Sequence, residues 1–128
     1  MREAENVAVV RSFIEAFQRG DTDTLVETLD PAVELHEWPQ GPEARTYHGH
    51  EGVRAALASW FESWERIAVE IEEIAESGDR VVVTMRQRYK GRGSELETEI
   101  TSANVFSVRD SKILRVELFT DREAARVE

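Results

Sequence analysis

Apolar residues recur at helical spacing in the first half of the chain and alternate with polar ones in the second. Val7, Val10, Ile14 and Phe17 fall on one stripe with Phe13 beside it, which predicts an amphipathic helix over residues 3–19. Gly20 stops that helix, and Asp21 or Asp23 caps a short second one carrying Leu25 and Leu29. The tripeptide Arg19-Gly20-Asp21 has the form of an adhesion motif, but a helix stop followed by a helix start accounts for it. Asp30-Pro31 breaks the second helix, and residues 33–38 read as a strand. Residues 39–49 hold two prolines and two glycines, so they read as a loop, either a lid or a pocket edge. From about residue 50 to 64, Val53, Ala56, Leu57, Trp60, Phe61 and Trp64 follow i, i+3, i+4, i+7, i+8, i+11, the strongest helical period in the chain. Strands are predicted over 67–77, 80–90, 95–108 and 112–120. The turn sequences between them are short enough to make the strands an antiparallel meander.

The hairpins sort inside from outside. A four-residue loop at 91–94 sets Lys90 opposite Glu95, Arg88 opposite Glu97 and Arg86 opposite Glu99. The other face of that hairpin then pairs Tyr89 with Leu96, Gln87 with Thr98 and Met85 with Ile100. Arg86, Arg88, Lys90 and Arg92 are therefore read as a salt-bridged solvent face, not a nucleic-acid stripe. A three-residue loop at 77–79 brings Ile71 opposite Met85, Val69 opposite Gln87 and Glu70 beside Arg86. A turn at 109–112 places Phe106 opposite Arg115, Asn104 opposite Glu117 and Ser102 opposite Phe119, gathering polar groups at one end of the less charged face. On the opposite face, Ala103, Val105, Leu114, Val116 and Leu118 form an apolar patch with no helix left to cover it, which predicts a two-fold homodimer through the sheet.

Composition narrows the function classes. One domain over residues 1–128 fits the length, and 41% hydrophobic with 33% charged residues reads as globular. No apolar run approaches the roughly 20 residues of a membrane helix, and the start lacks a signal peptide's apolar stretch, so a cytoplasmic protein off the membrane is expected. Zero cysteines exclude disulfides and thiolate chemistry, and a net charge of −10 argues against nucleic acid as a partner. No cofactor fingerprint, phosphate cradle or serine-nucleophile motif is present, so no cofactor is expected. His48 and His50 make an HxH without a third ligand within reach, so no metal is expected either.

The order of helix, short helix, strand, long loop, helix and curved meander resembles the NTF2-like (cystatin-like) superfamily, and within it the SnoaL-like, polyketide cyclase-like group. The resemblance rests on "FIEAFQRGDTDTLVETLDPAVELHEW", "YHGHEGVRAALASWFE" and "KILRVELFTDREAA". It implies an α+β, cone-shaped fold with three N-terminal helices packed on a curved antiparallel sheet. It further implies a hydrophobic pocket between the two. Members include isomerases, cyclases, dehydratases and epoxide hydrolases, and others that only bind. Ketosteroid isomerase is similar in layout, but Phe13 stands where its first helix carries an oxyanion tyrosine. Glu37 or Trp38 stands where it carries an aspartate base ahead of a proline.

Two residues are the acid–base candidates. In strand 33–38, either Val33, Leu35 and Glu37 face the pocket or Glu34, His36 and Trp38 do, and the resemblance turns His36 and Trp38 inward. His36 then serves as a general base or donor, or is a histidine satisfied by its surroundings. Glu117 beside Asn104 is read as an acid or base in apolar surroundings, or as closing a salt bridge to Arg115. Trp38, Tyr47, Trp60, Met85, Asn104, Phe106 and Phe119 are the expected contacts of a small hydrophobic ligand. Trp64, Phe13 and Phe17 wall the same space or are simply core.

Overall fold

The computed structural model describes residues 2–36 and 46–119. Three helices, α1 (Arg2–Arg19), α2 (Thr22–Glu27) and α3 (Gly49–Ser63), pack on one face of a six-stranded sheet. Its strands are β1 (Leu29–His36), β2 (Thr46–His48), β3 (Trp64–Ser77), β4 (Arg80–Gly91), β5 (Glu97–Arg109) and β6 (Lys112–Phe119). They lie in the order β2-β1-β6-β5-β4-β3. The last four form the expected meander, while β1 runs parallel to β6 and antiparallel to β2.

Local chemistry fixes the ends of the helices. Gly20, at φ +71°, closes α1 with its N–H donating to the Phe17 carbonyl and the Asp21 N–H donating to the Ala16 carbonyl. Asp21 then caps α2 by accepting from the Thr24 N–H and hydroxyl, and these bonds hold its carboxyl below the usual range. No basic residue lies in the last turn of α3. Arg92 supplies the charge from the β4–β5 turn, its guanidinium donating to the carbonyls of Phe61 and Glu62. Arg92 is thus a helix cap and not part of the salt-bridged ladder.

Two element boundaries differ from expectation. Leu29 opens β1 instead of ending the second helix, and Pro31 is carried inside the strand. Residues 46–48, read as loop, form β2, pairing Leu35 with Tyr47 along the outer edge. The core joins Val10, Ile14, Leu25, Val53 and Leu57 of the helices to Val33, Val83, Phe106, Ile113 and Val116 of the sheet.

Registers decide which residues face that core. The β3–β4 pairs Ile71–Met85, Val69–Gln87 and Glu70–Arg86 are as expected. They are reached differently, by a two-residue turn at Gly78-Asp79 whose one-residue difference is made up by a bulge between Ile71 and Glu73. Along β4–β5 the pairing is displaced by two residues, so that Lys90 opposes Glu97 and Arg88 opposes Glu99. The intervening turn extends to Leu96, which is exposed. A two-residue slip leaves every side chain on its own face. The charged ladder is present in altered form, with Arg88 on Glu99, Arg86 on Glu70 and Glu72, and Lys90 on Glu65.

A one-residue slip does not leave faces unchanged. The β5–β6 turn places Asp110 and Ser111 at φ +53° and +64° and pairs Arg109 with Lys112 and Val108 with Ile113. The register then shifts, and Ser107 pairs with Arg115, leaving Leu114 as the extra residue of a bulge. Beyond it, Phe106 opposes Val116, Val105 opposes Glu117 and Asn104 opposes Leu118. The expected grouping of Asn104 with Glu117 is therefore corrected. The outer apolar patch changes with it: Ala103 and Val105 are joined there by Val82 and Phe119, while Val116 and Leu118 turn inward. No described helix is long and apolar enough to cross a membrane.

Candidate functional site

Alternation along the strands builds the inner wall in cross-sheet rows. Leu35, Val116, Phe106 and Val81 form the row at one end, followed by Leu118, Asn104 and Val83, then Ser102, Met85 and Ile71. Ile100, Gln87 and Val69 come next, and Thr98, Tyr89 and Ile67 make the last row. Between this wall and Phe13, Ile14 and Phe17 of α1, Trp60 of α3 and Trp64 lies a cavity of ≈ 380 Å³. That volume lies within the range of about 300–1,000 Å³ usual for small-molecule sites.

The cavity has a closed end and an open one. At the closed end Phe106 is fully buried, and Phe13 meets its ring edge-on, centroids 5.3 Å apart. Met85 and Asn104 are also buried, whereas Thr98 in the last row is exposed. Trp64 stacks obliquely on Tyr89 with ring centroids 5.0 Å apart, and Phe17 meets Trp60 edge-on at 6.1 Å. Gln18 pins α1 to the sheet edge by accepting from the Val69 N–H at 2.7 Å.

The described lining carries no carboxylate, imidazole, ammonium or guanidinium; its polar members are Gln87, Tyr89, Thr98 and Asn104. Gln87 Nε2 donates to Ser102 Oγ at 2.6 Å. Asn104 is 5% exposed, and its Oδ1 is buried without a hydrogen-bond partner. Burial pushes the Tyr89 phenol up to about 12, so near neutral pH it is a donor and never a base. The consequence is measurable. The fold favours the neutral phenol, so its contribution to stability is complete below the ordinary value of 10.0 and is lost as pH rises toward about 12. Ultraviolet titration of the folded protein should therefore show a phenol ionising near 12, and Tyr89→Phe should remove that step. A wild-type titration complete by the ordinary value would contradict the burial of Tyr89.

The expected site residues divide between the two faces of the sheet. Trp60, Met85 and Asn104 line the cavity, as do Trp64, Phe13 and Phe17. Phe106 lies beneath the lining as part of the core, and Tyr47 is half-buried beside that core. Trp38 lies outside the described residues. Phe119 is on the outer face, packed against Ala103 and Val105. The inward orientation of His36 is corrected as well: Val33 and Leu35 are buried against the helices, so His36 is turned outward with Glu34.

His36 and Glu117 do come together, as register partners of the parallel β1–β6 pair, but away from the cavity. His36 Nε2 donates to Glu34 Oε1 at 2.9 Å, and Thr46 Oγ1 lies 3.1 Å from Nδ1. The His36 hydrogen bond holds the Glu34 carboxyl below its usual range. Arg115 pairs with Glu117 at 3.6 Å, which is the salt bridge considered for it above. His50 Nε2 donates to the Leu29 carbonyl, and His48 Nδ1 lies 3.9 Å from Glu34, so the two histidines diverge. Among the described residues, no cluster of three or more histidine or acidic groups is placed to hold a metal ion.

Sequence reasoning passed over Leu35, Gln87, Tyr89, Thr98 and Ile100 as contacts of the cavity. For the last four the signal was present, because they alternate in step with Met85 along one hairpin face.

A SnoaL-like domain model matches residues 10–116. The fold is similar to that of an NTF2-like protein of unknown function from Burkholderia pseudomallei K96243, at 25% identity and a TM-score of 0.83 over 96% of each chain. It is also similar to an NTF2-like protein from Burkholderia xenovorans LB400, at 26% identity and a TM-score of 0.76 over 97% of this chain and 95% of that one. An LEH-like epoxide hydrolase of M. tuberculosis shares the fold alone, at 20% identity and a TM-score of 0.78 over 94% of this chain and 86% of the other. No curated protein matches the sequence.

Proposed function

The chain belongs to the SnoaL-like domain family, and from that premise we propose that its cone binds a small, largely apolar molecule. The observation that carries the reading is the cavity, apolar on most of its wall and closed at the Phe106 end. Acid–base chemistry of the isomerase, cyclase or dehydratase kind needs a titratable group at the ligand. Among the described lining residues the only such group is the Tyr89 phenol, which keeps its proton at neutral pH. His36 and Glu117 lie on the other side of the sheet. Binding is therefore the function the geometry supports best.

Trp60 and Trp64 in the wall make occupancy visible. Titration with a set of hydrophobic carbonyl compounds should give saturable changes in tryptophan fluorescence. The double variant His36→Ala/Glu117→Ala should bind within about twofold of wild type, since neither side chain meets the cavity. Silence across the whole set would sink the binding reading. A tenfold or greater loss in the double variant would move the site to the outer face.

A further inference from the structure

The buried amide of Asn104 bears on what kind of molecule fills the cone. Asn104 stands in the sheet between Leu118 and Val83, neither of which can meet it with a polar side-chain group. A leucine there would pack with both neighbours and leave nothing unpaired. Instead the position holds an amide that is 5% exposed, lines the cavity, and has an Oδ1 with no hydrogen-bond partner. Buried side-chain acceptors are nearly always paired, so an unpaired one on a ligand-sized cavity marks where a donor belongs.

Among the described residues, Asn104 Oδ1 is the buried side-chain atom left without a partner, whereas Gln87, whose Nε2 donates to Ser102, leaves no buried atom unpaired. Tyr89 and Thr98 lie in the row nearest the open end, six residues along β5 from Asn104 and so roughly 20 Å away at strand spacing. With no charged group in the described lining, an ionic ligand would give up its hydration without a counter-charge.

We propose that the occupant of the cone is a neutral, largely apolar molecule that enters with a hydroxyl or N–H group leading and donates it to Asn104 Oδ1. The terminal torsion of an asparagine is broad, so the amide can turn its oxygen to the incoming donor without leaving its place in the wall. Asn104 would then be the residue that selects a donor-bearing ligand over an equally apolar one lacking it. The inference rests on the binding reading above and adds the chemistry of the ligand's leading end.

Calorimetric titration with three naphthalenes of one body and different heads tests it: 2-naphthol, which donates, and 2-methoxynaphthalene and 2-acetylnaphthalene, which only accept. Wild type should bind 2-naphthol about tenfold more tightly than 2-methoxynaphthalene, the usual scale for satisfying a buried polar group. Asn104→Leu should erase that difference. The wild-type comparison stands on its own should the variant fail to fold. Equal binding of all three by wild type would overturn the donor assignment and leave the binding reading intact. So would tightest binding of 2-acetylnaphthalene, since the amide N–H would then be the recognising group. If none of the three binds, the binding reading falls and this inference with it.

Discussion

Truncating Phe106 to alanine is expected to lower the free energy of unfolding by about 3–5 kcal/mol. Its ring is fully buried, flanked in the sheet by Val81 and Val116 and met edge-on by Phe13. A ring of this kind buries about 150–250 Å², worth some 4–6 kcal/mol of transfer free energy, and the aromatic pair adds about 0.5–1.5 kcal/mol. Partial collapse of the surroundings returns some of that. Set against the 5–15 kcal/mol typical of a whole domain, the loss would leave a marginal protein. The position of Phe106 adds a second expectation. Phe13 belongs both to its contacts and to the cavity wall, so the space vacated should join the cavity. An apolar ligand too large for wild type should then restore part of the lost stability in the variant. Urea unfolding with and without such a ligand checks both parts. A loss below about 1 kcal/mol would mean that Phe106 is not the fully buried core residue described above.

The limits of the sequence reading follow from the same packing. Period-2 alternation placed Tyr89, Gln87 and Met85 on one face of the hairpin and Arg86, Arg88 and Lys90 on the other, and this survived a two-residue error in register. Charge pairing alone could not find that error, because glutamates stand at 95, 97 and 99 and each offers a partner. Between β3 and β4, a turn one residue shorter than expected and a one-residue bulge cancelled, so the pairs nearest the cavity came out as expected. The bulge at Leu114 had no compensating feature, and it carried Glu117 and Phe119 to the outer face. His36 was misplaced for a different reason. Its strand offered two faces, and the burial of Val33 and Leu35 beneath the helices, which decides between them, arises only once distant elements pack. The three residues of β2 carry no period long enough to read and depend on the edge of β1. Asn104 was expected at the ligand as a neighbour of Glu117, and it lines the cavity beside Leu118 instead.

Deleting Leu114 together with Arg115 should be more damaging than any single substitution on β6, because the number of residues between Ile113 and Val116 determines which way the rest of the strand faces. The strand is fixed on the near side of the bulge: the Ile113 N–H donates to the Thr28 carbonyl at 2.8 Å and Lys112 Nζ donates to the Glu27 carbonyl at 2.7 Å. The type of turn before it, with two consecutive positive-φ residues, also leaves little slack. Removing Leu114 alone would only close the bulge, keeping Ser107 on Arg115, Phe106 on Val116 and Asn104 on Leu118. Removing both slips the rest of the strand by one residue, so that Val116 faces Ser107, Glu117 faces Phe106 and Leu118 faces Val105. A charge would enter a wall that offers no partner, at several kcal/mol, while Val116 and Leu118 would lose burial worth about 1.5–3 kcal/mol apiece, with Phe119 alone turned inward in return. The loss rivals the stability of an ordinary domain, so the double-deletion variant should show no cooperative thermal transition by circular dichroism. Leu114→Ala keeps the bulge and removes only a half-buried side chain, so it should cost no more than about 1–2 kcal/mol and retain the cavity. A double-deletion variant that melts cooperatively within a few degrees of Leu114→Ala would show that β6 can take its facing from elsewhere. In that case the separation of the outer His36–Glu117 pair from the cavity would no longer rest on the register of β6.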